Sequence, residues 1–524
     1  MKSKYSNPFL NFKDDIPAGL VVYLVALPLC LGVALASTGR PDLLFSGIIA
    51  GVVGGIVVGS LSSSPLGVSG PAAGLVVIVL SAIKTLGSFE ALLLAVFLAG
   101  AIQLIAGFLN AGIIGYYFPS AVIKGMLAAI GITLILKEIP HALGYDKDFI
   151  GDFAFEQSDG HNTLTELFYA FKYHSVGAIL ISLVSIALLV LFERPFMKKI
   201  GLFKFLPGAL FVVLTGIAIN LVFKAFYPDF YMADEHLVQL PVAKSASEFI
   251  SFFKFPDFSQ FANPDIYIVA ITLAIVASLE TLLSVEATDK LDPFKRNTPT
   301  NRELKAQGIG NMVSGLLGGL PITQVIVRSS ANIESGGKSK MATIVHGIIL
   351  FISVVFIPAL LNYIPLASLA AILLMVGYKL SKFSLYKTMY KLGWDQFIPF
   401  IVTVVAILFT DLLKGIAIGM VFAIFFILRR NYKHSYSYTK EPREEGEHIT
   451  IKLSEEVTFL NKGSFQAALD KLPDNCTVVI DGSKSHNIDY DVLEIIQGFK
   501  LHGAPLREIK VETIGIKEVS VLGH

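Results

Sequence analysis

Charge is scarce in this chain: Lys, Arg, Asp and Glu together make up 16% of its 524 residues, and the formal net charge is +1. Nucleic-acid binding leaves a basic stripe over one face, so no nucleic-acid partner is expected. Cysteine is scarcer still. Cys30 lies in the first apolar span and Cys476 in the polar tail, and the two build neither a disulfide framework nor a Cys/His zinc set. The ten histidines are scattered, with no HExxH and no pair at metal-ligand spacing near carboxylates, so they read as surface or packing residues. Neither a nucleophile with its base nor a metal set stands out, so an enzyme is not expected.

What is abundant is apolar surface. Hydrophobic residues make up 54% of the chain and the mean hydropathy is +0.66, more than one soluble core could bury. A helix crosses the hydrocarbon in about 20 residues. Apolar runs near that length lie at 16–37, 43–61, 70–86, 90–109, 118–137, 175–193, 205–224, 265–285, 303–319, 323–335, 341–360, 364–379, 396–410 and 412–429. The first of these resembles a signal peptide, with Lys2, Lys4 and Lys13 ahead of it, but its length and the spans that follow make it a retained segment.

Two stretches 246 residues apart, YYFPSAVIKGMLAAIGITL (Tyr116–Leu134) and NYIPLASLAAILLMVGYKL (Asn362–Leu380), are imperfect copies of each other. Tyr117/Tyr363, Pro119/Pro365, Gly131/Gly377 and Leu134/Leu380 are among the positions that coincide. Duplication inside an apolar chain is how many secondary transporters are built. The expected repeats cover about 9–225 and 262–430, seven spans each. The stretches Glu193–Lys204, Lys290–Lys305, Lys338–Lys340, Lys379–Lys391 and Arg429–Lys433 are basic, whereas Glu138–Glu166 carries Asp146, Asp148, Asp152, Glu156 and Asp159. The positive-inside rule then places both termini in the cytoplasm and inverts the second repeat. A multi-pass plasma-membrane protein follows, most simply of a bacterial inner membrane. The transmembrane domain is expected over 1–430, a linker over 431–447, where the charged KEPREEGEH falls, and a small cytosolic α/β domain over 448–524.

Two spans are interrupted at matching positions of the repeats. Ser60–Pro71 precedes the third span and Gly315–Pro321 the tenth, with Pro71 and Pro321 each read as opening a helical turn. Helix starts carry unpaired N–H groups and a partial positive charge, so two of them facing each other at mid-membrane would hold an anion. Glu280, in ASLETLLSVEATDKL, lies past the middle of span eight, and Ser284 follows one turn later. An intramembrane carboxylate is expensive and therefore a functional candidate. It suits a Na+ or proton coupling site, or a structural partner for Arg328 in the first turns of span ten. Arg328 itself either lends charge to the anion site or holds its helix. Lys124 reads as snorkelling, and Glu286 and Asp289 as a solvated helix end.

The blocks NRELKAQGIGNMVSGLLGGLPITQVIVRSSANI (Asn301–Ile333), SLETLLSVEATD, SGPAAG and FTDLLKGIAIGMVFA resemble the SulP/solute carrier 26 family of anion transporters, in the family's order, over roughly Pro8–Lys433. The tail resembles the family's STAS domain. The resemblance implies a 7-plus-7 inverted-repeat fold, with a core of spans 1–4 and 8–11 and a gate of spans 5–7 and 12–14, usually dimeric. In it, an anion rides elevator-like between the starts of spans three and ten. Candidate substrate-binding residues are then Gly70, Pro71, Ala72, Ala73, Thr323, Gln324, Val325, Ile326 and Arg328, with Glu280 and Ser284 for a coupling Na+ or proton and no other cofactor.

Three departures from the family's pattern stand out. Pro28-Leu29 replaces a common Pro-Gln, Gln324-Val325 replaces a small pair, and no serine stands at Asp489-Tyr490-Asp491, where some stand-alone STAS proteins are phosphorylated. Gln324 is a candidate to supply the amide that Leu29 lacks. The expected substrate is a small inorganic oxyanion, bicarbonate or sulfate. A dicarboxylate or other organic anion, or uncoupled channel-like conduction, is the alternative.

Overall fold

The computed structural model describes residues 11–147, 155, 162–194, 207–433, 436–443 and 446–519. Lys2, Lys4, Asp148, Asp152, Glu156, Asp159, Lys198, Lys199 and Lys204, on which part of the charge reading rests, lie outside them. The chain divides into two compact units, Met1–Met420 and Val421–His524.

In lipid a single segment satisfies all its backbone polar groups only as a helix, and the first unit is helical. Its elements are α1 (Phe12–Thr38), α2 (Pro41–Leu61), α3 (Ala73–Leu86), α4 (Phe89–Phe108), α5 (Ser120–Leu143), α6 (Val176–Glu193) and α7 (Gly208–Phe226), then α8 (Pro264–Leu291), α9 (Thr300–Leu317), α10 (Ile326–Glu334), α11 (Met341–Phe356), α12 (Leu366–Leu380) and α13 (Trp394–Phe409). The sequence of α14 (Leu412–Lys433) crosses the division between the units. Among the described residues nine helices are long and apolar enough to cross a membrane, while α3, α11 and α13 are shorter. Two expected apolar spans read differently in the structure. The helix α9 is polar along one side, and α10 has only nine residues, because extended chain takes the start of the 323–335 run.

The helix α4 packs along α8 and α9, and α1 along α2, α10 and α11; separately, α12 and α13 pack along α5, and α6 packs on α7 and α12. Small residues set the closest approaches, as membrane helices require. A Cβ on Gly100 would stand 2.5 Å from the carbonyl oxygen of Gly308, and one on Gly308 2.7 Å from that of Gly100. The duplicated segments meet in the same reciprocal way: a Cβ on Gly131 would lie 2.7 Å from Gly377 O, and one on Gly377 2.7 Å from Gly131 O.

In the second unit a four-stranded sheet runs β3 (Tyr436–Arg443), β4 (Gly446–Leu453), β6 (Thr477–Asp481) and β8 (Lys510–Ile514), with β5 (Glu456–Val457) and β7 (Asn487–Ile488) paired apart from it. The pair β3–β4 is antiparallel and the others parallel. Helices α15 (Lys462–Asp470) and α16 (Tyr490–Gly498) supply Phe465, Leu469, Val492 and Ile496 to a core with Ile449, Ile451, Val478 and Ile480. Residues 431–447, expected to be a linker, instead contain all of β3 and the start of β4. An edge strand is where charge and proline are tolerated, so its composition mimics a linker.

Candidate functional site

After α2 the chain runs extended from Ser62 into β1 (Ser69–Pro71), and after α9 from Gly319 into β2 (Ile322–Gln324). The two strands pair antiparallel, Ser69 with Gln324, Gly70 with Thr323 and Pro71 with Ile322, and every residue of both is buried. The two interruptions therefore lie side by side, where non-helical backbone at membrane depth is sheltered by protein. One expectation is corrected. Pro71 ends β1 and Pro321 precedes β2, so neither opens a helical turn; α3 begins at Ala73 and α10 at Ile326. Strand pairing satisfies backbone groups of each break that a lone turn would leave open.

Gly70, Pro71, Ala72, Thr323, Gln324, Ile326 and Arg328 are buried, whereas Ala73, Gly74 and Val325, at the helix starts, are half-buried. Not all the backbone donors there are free. Val325 N–H is bonded to Val68 O at 2.8 Å and Gln324 N–H to Thr281 Oγ1 at 3.3 Å. The Gln324 side-chain amide donates to Thr288 Oγ1 at 3.0 Å, while its Oε1 has no partner among the described residues. Thr323 Oγ1 reaches the carbonyl oxygen of Gln324 at 3.4 Å.

Arg328 is fully buried behind the strand pair. Its Nη2 donates to Pro71 O at 3.4 Å, while Nε and Nη1 have no partner among the described residues. Around the guanidinium stand Gly70, the Cys30 thiol on α1 and His346 on α11, whose two ring nitrogens are unpartnered as well. A buried cation with open donors attracts a negative group strongly. Glu280 is not that group. Its carboxylate faces the Gly74 N–H at the start of α3, a Cβ on Gly74 would stand 2.9 Å from Oε1, and Oε2 has no partner among the described residues. Ser284 is buried one turn along α8, its carbonyl accepting from Thr288 Oγ1 at 2.6 Å. Lys124 is half-buried on α5. Glu286 pairs with Lys290 at 2.9 Å, and Asp289 accepts from Thr298 N–H and Oγ1 at 2.6 and 2.7 Å, tying the helix end to the turn that follows.

Sequence reasoning passed over Cys30, His346 and the polar side of α9. For α9 the signal was present: Glu303, Gln307 and Asn311 recur every fourth residue in a span expected to be apolar, which places them on one face.

Two recesses flank α1. A cleft of about 740 Å³ is lined by Pro17 and Val21 of α1, Glu193 of α6, Gly208 of α7, Ala331 of α10 and Val376 of α12. At its rim Lys379 of α12 pairs with Glu193 at 2.6 Å and with Glu334 of α10 at 3.4 Å. A smaller recess of about 190 Å³ lies further along α1, between Pro28, Leu31 and Leu35 on one side and Asp146, Leu237 and Leu366 on the other.

Asp146 also holds the segment that covers this second recess. Its carboxylate bonds His141 Nδ1 and His236 Nδ1, both at 2.6 Å. The segment is bridged onward by Leu237 to Pro365, and by Asn362 to Leu240 N–H and C=O at 2.7 and 3.1 Å. Burial opposes the charge of Asp146, but the two imidazoles outweigh it and hold the carboxyl below its usual 3.8. The hydrogen bond from Asp146 raises His236 above 6.5 against the effect of its own partial burial. The carboxylate's contribution is lost as pH falls below 3.8, and the imidazole's as pH rises through the elevated value, so the tether is strongest between them. The protection factors of amides 236–240, corrected for intrinsic base catalysis of exchange, are expected to fall at alkaline pH. Asp146→Asn is expected to lower the local opening free energy by about 1.5–3 kcal/mol, the contribution of a hydrogen bond to a charged group. Protection factors at these amides that ignore both pH and the substitution would refute the tether.

Residues 12–406 match the sulfate permease family. The chain is 29% identical to YvdB of Bacillus subtilis over 421 residues, 80% of this chain and 74% of YvdB. It is 25% identical to the bicarbonate transporter BicA of Picosynechococcus over 424 residues, 79% of this chain and 69% of that one. Among solved structures, murine solute carrier 26 family member A9, an anion transporter in the inward-facing state, superposes with a TM-score of 0.67 at 16% identity, covering 98% of this chain and 87% of that one. The transmembrane domain of a cyanobacterial BicA gives 0.54 at 21% identity over 79% of this chain and 98% of its own length. These superpositions establish a shared polytopic helical membrane fold. Because the matched residues take in both interrupted spans, Glu280 and Arg328, the chain belongs to the sulfate permease family.

Proposed function

We propose that this protein is a secondary active transporter of a small inorganic oxyanion, bicarbonate or sulfate. One observation carries the reading: the antiparallel β1–β2 pair brings the starts of α3 and α10 together in front of a buried Arg328 whose Nε and Nη1 lack partners. Aligned N–H groups and a desolvated cation suit a compact anion of dispersed charge. Relatives named as sulfate and bicarbonate transporters support the substrate class.

The finer reading takes the fourteen helices as spans of two inverted repeats. An in-plane two-fold axis relates equivalent segments antiparallel and makes their contacts reciprocal, as β1 with β2 and Gly131 with Gly377 are. Helices α1–α4 and α8–α11 then form the core, and α5–α7 and α12–α14 the gate. The two recesses along α1 are taken as the inner and outer ends of the seam along which the core slides, elevator-like. Glu280 and Ser284, beside the start of α3, carry the coupling Na+ or proton. The protein works as a homodimer in the plasma membrane, both termini cytoplasmic, with the sheet of β3, β4, β6 and β8 and its helices as a STAS-like domain.

Uptake of radiolabelled bicarbonate and sulfate into proteoliposomes, under separate Na+ and pH gradients, tests this. Saturable uptake of one anion, accelerated by one of the two gradients, is expected. Current that neither saturates nor responds to either gradient would mean a conductor instead.

A further inference from the structure

We infer that α9 is the positioning helix of the anion site, holding both interrupted spans in register from a single polar face; the inference rests on the anion site proposed above. Glu303, Gln307, Asn311 and Ser314 are buried on that face, and each bonds a different part of the two breaks. Ser62 Oγ donates to Glu303 Oε2 at 2.5 Å, just where α2 gives way to extended chain. Gln307 Nε2 donates to Ser69 Oγ at 2.6 Å, the first residue of β1, and to Glu303 Oε1 at 3.1 Å. Asn311 grips β2 by its backbone, with Oδ1 accepting from Ile322 N–H at 2.6 Å and Nδ2 donating to Ile322 O at 2.9 Å. Ser314 Oγ donates to Leu320 O at 2.7 Å. These side chains bond the strands and the chain leading into them, so their effect on an anion passes through the strands.

The arrangement works as a ruler because α9 cannot shift easily. Its Gly308 and Gly315 leave no room for a Cβ against the α4 backbone, at 2.6 Å from Leu104 N and 2.8 Å from Leu93 O. Asn311 Nδ2 is steadied from the same side by Gln103 Oε1 at 2.7 Å. One rigid helix thus sets where β1 begins and where β2 begins, and through these short strands the starts of α3 and α10. Breaking one rung frees one strand while the other stays held, which spoils the match to the anion without removing any group that moves.

The test uses the full-length protein in proteoliposomes, with bicarbonate and sulfate as probes. Gln307→Met keeps the side-chain length but loses the bond to Ser69, and Ser69→Ala removes the same bond from its other end. Each is expected to raise the anion KM about tenfold, the value of a buried hydrogen bond and its unpaired partner, with maximal rate within about twofold of the wild type. The double variant should be no worse than the poorer single one, and Ser69→Thr, which keeps the hydroxyl, should fall closer to the wild type than Ser69→Ala. Unchanged KM, additive losses, or a fall in maximal rate alone would overturn the inference. Hydrogen exchange over 62–71 and 320–325 reads the positioning without any anion: Gln307→Met should speed exchange in the first segment and leave the second protected, and equal protection in both proteins would also overturn it. If the wild type takes up neither anion while the exchange result holds, the transport reading fails and the positioning role of α9 stands.

Discussion

Gly70→Ala is expected to raise the KM for anion uptake about a hundredfold while leaving a folded, membrane-inserted protein. The added Cβ would collide with Arg328 Nη1, and there is no easy retreat for either partner. The strand cannot back away, since Gly70 is paired with Thr323. The guanidinium is fully buried among Cys30, His346 and Pro71. Overpacking a closed core costs about 1–3 kcal/mol when side chains must leave their positions. Here the displaced group is the positive charge behind the anion site, so an affinity loss of about a hundredfold is expected. Stabilisation of the purified protein by sulfate or bicarbonate, read from its melting temperature, separates lost binding from lost folding. Anion-dependent stabilisation equal to that of the wild type would mean that Arg328 does not serve the site.

Glu280→Gln is expected to abolish acceleration by the coupling gradient while sparing anion exchange. Gln is close to an isostere, so packing against Gly74 is kept and only the ionisable group is removed. An ionised carboxylate near the middle of a span costs about 3 kcal/mol on insertion scales, so its retention with one oxygen unpartnered points to a cation that comes and goes. The start of α3 gives the carboxylate a second role. Facing the Gly74 N–H, it would, on the proposed function, compete with the anion for the same positive helix end unless a proton or Na+ neutralised it, which would link the two ligands without direct contact. Gradient-driven uptake by the Gln variant at the wild-type rate would remove Glu280 from coupling.

Much of this was legible before any coordinates. The apolar runs announce membrane helices because lipid leaves no alternative for the backbone. The offset between the Tyr116–Leu134 and Asn362–Leu380 copies announces a duplication, and the glycine they share is where the helices cross. Gly-rich and Pro-rich interruptions at matching places mark the site. What they do not show is that the breaks become paired strands, since a three-residue strand has no periodicity to read and its partner lies about 250 residues away. The same distance hides the partners of Arg328 and Glu280. An ion pair between them was one of the two readings open for Glu280, since they are the conspicuous opposite charges, yet α8 turns Glu280 toward Gly74. In the tail, local polarity concealed β3, whose place in the sheet depends on pairing with β4.

Composition and pattern by themselves determined that this is a polytopic membrane protein, and singled out a duplicated segment, a pair of broken spans and a carboxylate out of place in lipid. These are consequences of solvation and local chain geometry, which act residue by residue. Only the tertiary structure decided that the breaks pair edge to edge, that Arg328 keeps unpartnered donors beside them and that α9 holds both from behind. Those are choices among many polar groups far apart in the chain, and only packing against specific neighbours makes them.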